Sequence, residues 1–189
     1  MRYCVLIVFC ALLAGCGTQY HFRSLNGAAD SSYVYSLPYA AGKNKWMVQG
    51  YNSRLSHRGR MALDFKMRKG SPVHAARSGT VVRVIDSFSR GGLHRRYYRR
   101  ANMIVLLHSD GSQAYYGHLK KGGALVHVGD TVQQGQRIGY SGSTGYSFFP
   151  HLHFTVWGPV PGGGRTQLPT RFQTHRGIVY LKPGSWYKR

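Results

Sequence analysis

The chain has 189 residues, with 26 Lys and Arg against 5 acidic residues and a formal net charge of +21 at pH 7. This length fits one folded domain with a tether, and the excess of positive charge indicates an acidic partner. All three cysteines lie at the N-terminus, at Cys4, Cys10 and Cys16. The rest of the chain therefore cannot contain a disulfide framework or a thiolate metal site.

The N-terminus is typical of an exported lipoprotein. Arg2 precedes an apolar stretch over residues 5–13 that is too short to span a bilayer and fits a signal peptide. The sequence Leu-Ala-Gly-Cys at 13–16 resembles a bacterial lipobox, so we expect residues 1–15 to be removed and Cys16 to carry a lipid anchor. The alternative is an ordinary cleaved signal with an incidental cysteine. These features predict a protein of the cell envelope, in the outer membrane facing the periplasm if the bacterium is Gram-negative.

Two regions of different composition follow this leader. Residues 16–44 are rich in Ser, Gly, Ala and Tyr, and they predict a lipidated linker that lets the next domain reach away from the membrane. From residue 45 onward, short alternating or apolar runs such as 79–85 and 102–107 are separated by glycine-rich turns. This pattern predicts an all-β domain over 45–189, with an antiparallel sheet or sandwich as its core.

The first candidate ligand in this domain is an aspartate in a strand-like run. Asp64 stands between Leu63 and Phe65, so its carboxylate would leave the strand on the face opposite two core side chains. An ionised carboxylate there needs a partner, and His57 precedes it with six residues between them. Alone, such a pair is more typical of a solvated or ion-paired loop.

The densest positive charge lies at residues 90–100, where aromatic residues are interleaved with arginines. A DNA-binding module would use such a patch, but the export signal and the lack of a recognition-helix pattern argue against nucleic acid. We interpret the segment either as a solvated loop or as a clamp for an anionic polymer or membrane surface. The arginines of this clamp are Arg95, Arg96, Arg99 and Arg100.

Three further histidines follow. His118 comes directly after an apolar strand-like run and a turn, where a histidine bonded to the backbone is the more ordinary interpretation. His151 and His153 flank Leu152, so both imidazoles would project from the same face of a strand. Taken with His153, His57 and Asp64 supply two nitrogens and one oxygen, the set that leaves a tetrahedral zinc with one open position for water.

These motifs, taken in order, resemble the lysostaphin and LytM type of zinc peptidase, a family that cuts peptide bonds in bacterial peptidoglycan. The matching stretches are 49–52, 56–57, 64–65, 70–76, 79–82, 101–105, 108–111, 116–119, 128–132, 135–139, 142–145 and 151–154. The resemblance implies a β-sheet core with the metal in a groove. It also implies that His57, Asp64 and His153 bind one zinc ion, and that His118 and His151 are catalytic without binding it.

The chemistry expected of this set follows from the residue types. Zinc lowers the pKa of a bound water to about 7, so a hydroxide-like nucleophile exists at neutral pH. The chain contains no glutamate, which excludes the His-Glu-x-x-His mechanism, and proton transfer therefore falls to histidine. We expect His118 or His151 to accept the water proton and deliver it to the leaving amine, while the pair stabilises the oxyanion. The sequence leaves the division between them open.

The sequence thus predicts a membrane-tethered zinc endopeptidase that acts on peptidoglycan. The alternative is a wall-binding protein that activates an amidase without hydrolysing anything itself. Tyr116 is a further candidate for the substrate groove, with packing in the core as the alternative, and a basic segment at 90–100 would attract the carboxylates of stem peptides. The scissile bond is left open between a D-alanyl cross-link and a glycine bridge.

Overall fold

The computed structural model describes residues 33–189. The predicted signal peptide over 1–15 and the lipidated Cys16 lie outside the described residues. In the described part the chain forms fifteen β-strands and one short 3-10 helix at Arg95–Tyr97. The first eight strands are β1 Val34–Ser36, β2 Asn44–Gln49, β3 Ala62–Lys66, β4 Pro72–His74, β5 Gly79–Ile85, β6 Met103–Leu107, β7 Gln113–Gly117 and β8 Leu119–Ala124. The others are β9 Thr131–Val132, β10 Arg137–Ser141, β11 His151–Pro159, β12 Arg165–Leu168, β13 Arg171–Thr174, β14 Gly177–Val179 and β15 Trp186–Lys188.

The largest sheet runs in the order β15-β2-β3-β11-β7-β6-β5-β9, and β12 pairs with β11 outside this path. All its pairings are antiparallel. Two smaller sheets, β4-β10-β8 and β1-β13-β14, complete the fold, and the β1 and β13 pair is parallel. The predicted all-β, mainly antiparallel class is confirmed. Among residues 33–189, no helix combines the length and hydropathy needed to cross a bilayer.

The core lies on one face of the large sheet because the central strands alternate as expected. On β11, Leu152, Phe154 and Val156 are buried, and the ring of Phe154 makes edge contacts with neighbouring aromatic rings at centroid distances of 5–7 Å, a favourable range. Those rings are Tyr35, Tyr116 and Phe172. The opposite face of β3 and β11 is thereby left for polar side chains.

The packed part of the chain begins before the boundary expected at residue 45. Tyr35, Leu37 and Tyr39 are almost fully buried, and β1 pairs with β13 near the C-terminus. The Tyr39 hydroxyl also donates to the backbone carbonyl of Tyr187 at 2.7 Å. The linker predicted for 16–44 therefore contains a stretch that belongs to the core, since these three side chains alternate as a buried strand requires.

Tyr35→Ala tests this packing. We expect the free energy of unfolding to fall by about 3 kcal/mol, because a large buried aromatic leaves a cavity when it is truncated. Chemical denaturation of the purified domain measures the change. Lys43→Ala, an exposed position in the same segment, is the control and should change stability little. An equally small effect at Tyr35 would contradict the assignment of this segment to the core.

Candidate metal centre

The register of four neighbouring strands assembles the centre. Gln49 on β2 lies opposite Asp64 on β3, Asp64 lies opposite His153 on β11, and His153 lies opposite Gly117 on β7. Antiparallel partners share a face of the sheet, so residues far apart in sequence meet in one row across it. His118 follows directly after the last residue of this row, and His57 comes from the loop between β2 and β3.

The predicted metal ligands lie close together in the structure. Nε2 of His57 is 3.2 Å from Oδ2 of Asp64, and Nδ1 of His153 is 2.9 Å from Oδ1 of the same carboxylate. Ligand atoms of all three side chains lie within 4.8 Å of one another. Bonds of about 2.0–2.2 Å to a tetrahedral ion place donor atoms roughly 3.3 Å apart, so this spacing fits zinc.

Neighbouring groups orient two of these ligands. Nδ1 of His57 lies 3.2 Å from the carbonyl oxygen of Gly50, which can only accept, so Nδ1 can keep its proton when Nε2 ligates a metal ion instead of donating to Asp64. The amide nitrogen of Gln49 donates to Oδ2 of Asp64 at 2.8 Å and to the hydroxyl of Ser56 at 2.9 Å. Gln49 therefore ties the loop that carries His57 to the carboxylate.

Asp64 is an ionised carboxylate held inside the protein. Burial acts to raise its pKa, but hydrogen bonds with His153 and His57 outweigh burial and keep the pKa well below its usual value. Within residues 33–189, Asp64 forms no ion pair with a lysine or arginine. A buried anion surrounded by imidazole nitrogens is the environment that a divalent cation satisfies, so the donor set fits a metal ion.

His118 and His151 face the same groove as neutral bases. Nδ1 of His118 donates to the carbonyl of Thr144 at 2.7 Å, and Nδ1 of His151 donates to the carbonyl of Phe149 at 2.8 Å. These acceptors fix the tautomer and leave Nε2 of each ring unprotonated. Burial lowers the pKa of both imidazoles, that of His118 to about 3. The two ring centroids are 4.6 Å apart.

His118 adopts a left-handed backbone conformation, with φ of 61°, between β7 and β8. This conformation is uncommon for a residue other than glycine and requires surrounding structure to hold it. The surrounding bonds converge on Leu119: its N–H donates to the carbonyl of Asn102, and its carbonyl accepts from the hydroxyl of Thr144. Asn102 and Thr144 thus aim the His118 ring toward the row of ligands.

The groove above these residues has a volume of about 1060 Å³. Its lining includes the candidate ligands, and its walls are largely aromatic. The aromatic side chains are Tyr98, Tyr115, Tyr146, Phe148, Phe149 and Trp157. A groove of this size admits a peptide segment, and the aromatic walls supply apolar contact area.

The structure corrects the prediction for Tyr116. Its side chain is fully buried in the core beside Phe154, and its hydroxyl accepts from the backbone N–H of Ala76 at 2.8 Å. Tyr115, the residue before it, lines the groove instead, because it lies opposite Thr155 and shares the face of His153. Adjacent residues of β7 therefore point to opposite faces of the sheet, and Tyr115 rather than Tyr116 faces the groove.

Of the four predicted anion-binding arginines, none lines the groove. All four are exposed; Arg96 and Arg100 line a separate smaller cavity, whereas Arg95 and Arg99 line neither space. The arginines of the groove itself are Arg60 and Arg165. Arg95 and Arg96 point in different directions because they lie in the short 3-10 helix at 95–97, where successive side chains are about a third of a turn apart.

Sequence reasoning missed one positioning residue, Gln49. It ends β2, it is 8% exposed, and it follows the buried Met47 at strand spacing. A glutamine at a buried strand position needs partners for its amide, which was the available signal. Its partner became visible only when β2 was paired with β3.

An antiparallel sheet that brings a His-Asp-His set and two neutral imidazoles to one open groove has the construction of a metal-dependent hydrolase. The model of peptidase family M23 matches residues 58–166. The match covers more than half of the chain, which therefore belongs to peptidase family M23.

Individual relatives agree with this assignment. Lysostaphin of Staphylococcus simulans is 42% identical over 118 residues, which are 62% of this chain and 19% of lysostaphin. The peptidoglycan DD-endopeptidase ShyA of Vibrio cholerae is 37% identical over 93 residues, 49% of this chain and 19% of ShyA. The chain thus spans about a fifth of the length of these relatives. The catalytic domain of the prophage-encoded M23 protein EnpA from Enterococcus faecalis superimposes with a TM-score of 0.50 at 25% identity, over 68% of this chain and 93% of that domain.

Gln49→Ala tests the support of the metal ligands. We expect zinc affinity to fall about 10- to 100-fold, because Asp64 loses a hydrogen bond and the His57 loop loses its tie to it. Competition with a chromophoric chelator measures the dissociation constant. Gln113→Ala, on β7 but outside the groove lining, is the matched control. Equal affinities for the two variants would remove the role of Gln49.

Proposed function

We propose that this protein is a zinc-dependent endopeptidase that hydrolyses peptide bonds of bacterial peptidoglycan. The convergence of His57, Asp64 and His153, with two neutral imidazoles on the same groove, carries this proposal. Membership of family M23 supports peptide hydrolysis. The names of the relatives support the polymer, because ShyA is called a peptidoglycan DD-endopeptidase and the ALE-1 protein of Staphylococcus capitis a glycyl-glycine endopeptidase.

His57, Asp64 and His153 would hold one zinc ion. When bound, zinc supplies a Lewis acid that polarises a carbonyl group and acidifies water. Two nitrogens and one oxygen leave room for further coordination, as catalytic rather than structural zinc sites do. Gln49 and the Gly50 carbonyl keep the donor atoms aimed inward while substrate enters and leaves.

The two remaining imidazoles perform the proton transfers. Each ring presents an unprotonated Nε2, which can accept a proton from the attacking water. Because burial lowers the pKa of both rings, the accepted proton passes readily to the more basic leaving amine. The carbonyls of Thr144 and Phe149 stabilise the imidazolium that forms, because they accept from Nδ1 in both protonation states. Once protonated, Nε2 becomes a donor for the oxyanion of the tetrahedral intermediate. Asp64, 3.6 Å from Nε2 of His151, adds a favourable charge there.

His118→Ala separates the enzyme from a protein that only binds peptidoglycan. We expect the variant to retain zinc, because His118 is outside the predicted ligand set, and to lose turnover of purified sacculi by a hundredfold or more, on the order of the contribution of a general acid or base. Zinc is measured by elemental analysis, and mass spectrometry of released fragments identifies the scissile bond.

Chelator should abolish wild-type cleavage, and added zinc should restore it. Binding of sacculi without cleavage by the zinc-loaded wild type would support an amidase activator instead.

We further propose that a lipid on Cys16 anchors the protein in the cell envelope. The sequence at 13–16 supports this anchor, and the positive charge of the chain favours an anionic membrane surface.

Cys16→Ser should shift the protein from the membrane fraction to the soluble fraction, because the thiol that would carry the lipid is lost. Metabolic labelling with radioactive palmitate and cell fractionation measure this change. Cys10→Ser, which lies within the segment expected to be removed, should behave as the wild type. A wild-type protein that incorporates no label would exclude the anchor.

A further inference from the structure

A second cavity of about 250 Å³ lies in the segment that joins β5 to β6. Its lining consists of Phe88, Ser89, Arg90, Arg96, Tyr97 and Arg100. Three of these six side chains carry a positive charge, and two are aromatic. The cavity is too small for a folded partner and large enough for a carboxylate with the atoms attached to it.

The arginines that line this cavity are not paired with carboxylates in the described part of the chain. Within residues 33–189, Arg90, Arg96 and Arg100 form no ion pair, whereas Arg77 is paired with Asp110 at 2.6 Å. The guanidinium of Arg96 lies 4.9 Å from the ring centroid of Tyr97 and donates to the Tyr97 hydroxyl at 3.1 Å. These contacts orient its planar donors, which match the two oxygens of a carboxylate.

Backbone bonds hold the cavity beside the groove. Asn102 accepts from the N–H of Phe88 and donates to its carbonyl, at 2.9 and 2.8 Å. Further along, the N–H of Gly92 donates to the carbonyl of Gly145, and the N–H of Gly145 donates to the carbonyl of Arg90. Gly145 directly follows Thr144, whose carbonyl orients His118. The segment that forms the cavity is therefore fixed to the loop that supports the catalytic centre.

The same segment also contributes to the groove wall. Leu93 and Tyr98 line the groove, and the ring of Tyr98 lies against that of Tyr146 with centroids 4.4 Å apart. One short stretch of chain thus presents apolar side chains to the groove and guanidinium groups to the adjoining cavity. A peptide that contacts Leu93 or Tyr98 in the groove therefore lies against the same segment that carries the cavity arginines.

We propose that the cavity binds a free carboxylate of the peptidoglycan peptide whose backbone lies in the groove. The protein therefore selects stem peptides whose carboxylates are unamidated over those whose carboxylates are converted to amides. A neutral amide leaves the guanidinium groups without a counter-charge, so the preference comes from the charge of the ligand. This inference rests on the proposed function, because it specifies the substrate of the same site.

The test compares two double variants that remove the same charge from the same segment. Arg96→Gln with Arg100→Gln removes two cations that line the cavity, and Arg95→Gln with Arg99→Gln removes two equally exposed cations that do not line it. Each protein is assayed on soluble cross-linked peptides in free-acid and amidated forms. We expect the ratio of kcat/KM for the free acid over the amide to fall about tenfold in the first variant and to keep its wild-type value in the second.

A fall of equal size in both variants would reduce the effect to general electrostatic attraction and overturn the proposal. So would an unchanged ratio in the cavity variant. Calorimetric binding of the same two peptides to each protein gives an independent measure that requires no turnover. If the wild type cleaves neither peptide but binds the free acid through the cavity arginines, the peptidase function fails while the carboxylate site stands. If the wild type cleaves the free acid and the amide equally well, the peptidase function stands and the carboxylate site fails.

Discussion

The pairing of Asp64 with His153 across β3 and β11 is the constraint on which the rest of the centre depends. A buried carboxylate is costly unless its charge is compensated, and here two imidazoles and the Gln49 amide surround it. Because the register of an antiparallel pair moves only in whole residues, a slip by one position would turn Asp64 into the apolar core. The alternating apolar side chains of both strands fix that register. The packing of the core therefore also fixes the positions of the candidate ligands.

Backbone carbonyls, rather than other side chains, orient three of the imidazole rings. Gly50, Thr144 and Phe149 each offer a carbonyl to an Nδ1 atom, so His57, His118 and His151 all direct Nε2 away from the backbone. A carbonyl cannot become a donor and does not titrate, which makes this orientation independent of pH. In a chain without glutamate, this arrangement replaces the carboxylate that orients or assists histidine in many other hydrolases. The left-handed conformation of His118 is the local strain that accompanies it.

The sequence predicted the fold class and part of the candidate centre because both follow from strand periodicity. Periodicity places His151 and His153 on one face of a strand and Asp64 opposite two core residues. His57 lies in a loop and His118 in a turn, so these two entered the candidate centre through the resemblance to lysostaphin and LytM type peptidases. Tyr115 and Tyr116 show where such patterns fail: adjacent tyrosines occupy opposite faces, and only the pairing of β7 with β11 decides which one is buried. Residues 34–39 were assigned to a linker from composition, although Tyr35, Leu37 and Tyr39 alternate as a strand does. Local patterns could not identify Gln49 and Arg90, because the residues that bond to them, Asp64 and Gly145, are distant in sequence.

The candidate metal centre and the 88–100 segment are held by different kinds of contact in this protein. The row from Gln49 to Gly117 is set by strand register, which a substitution in a loop does not change. The 88–100 segment is held by main-chain bonds to Asn102 and Gly145, which its side chains do not make. Its arginines and aromatic residues can therefore be exchanged while the backbone stays attached to the catalytic loop. This separation allows the charged side chains of the 88–100 segment to vary without moving the residues of the candidate metal centre.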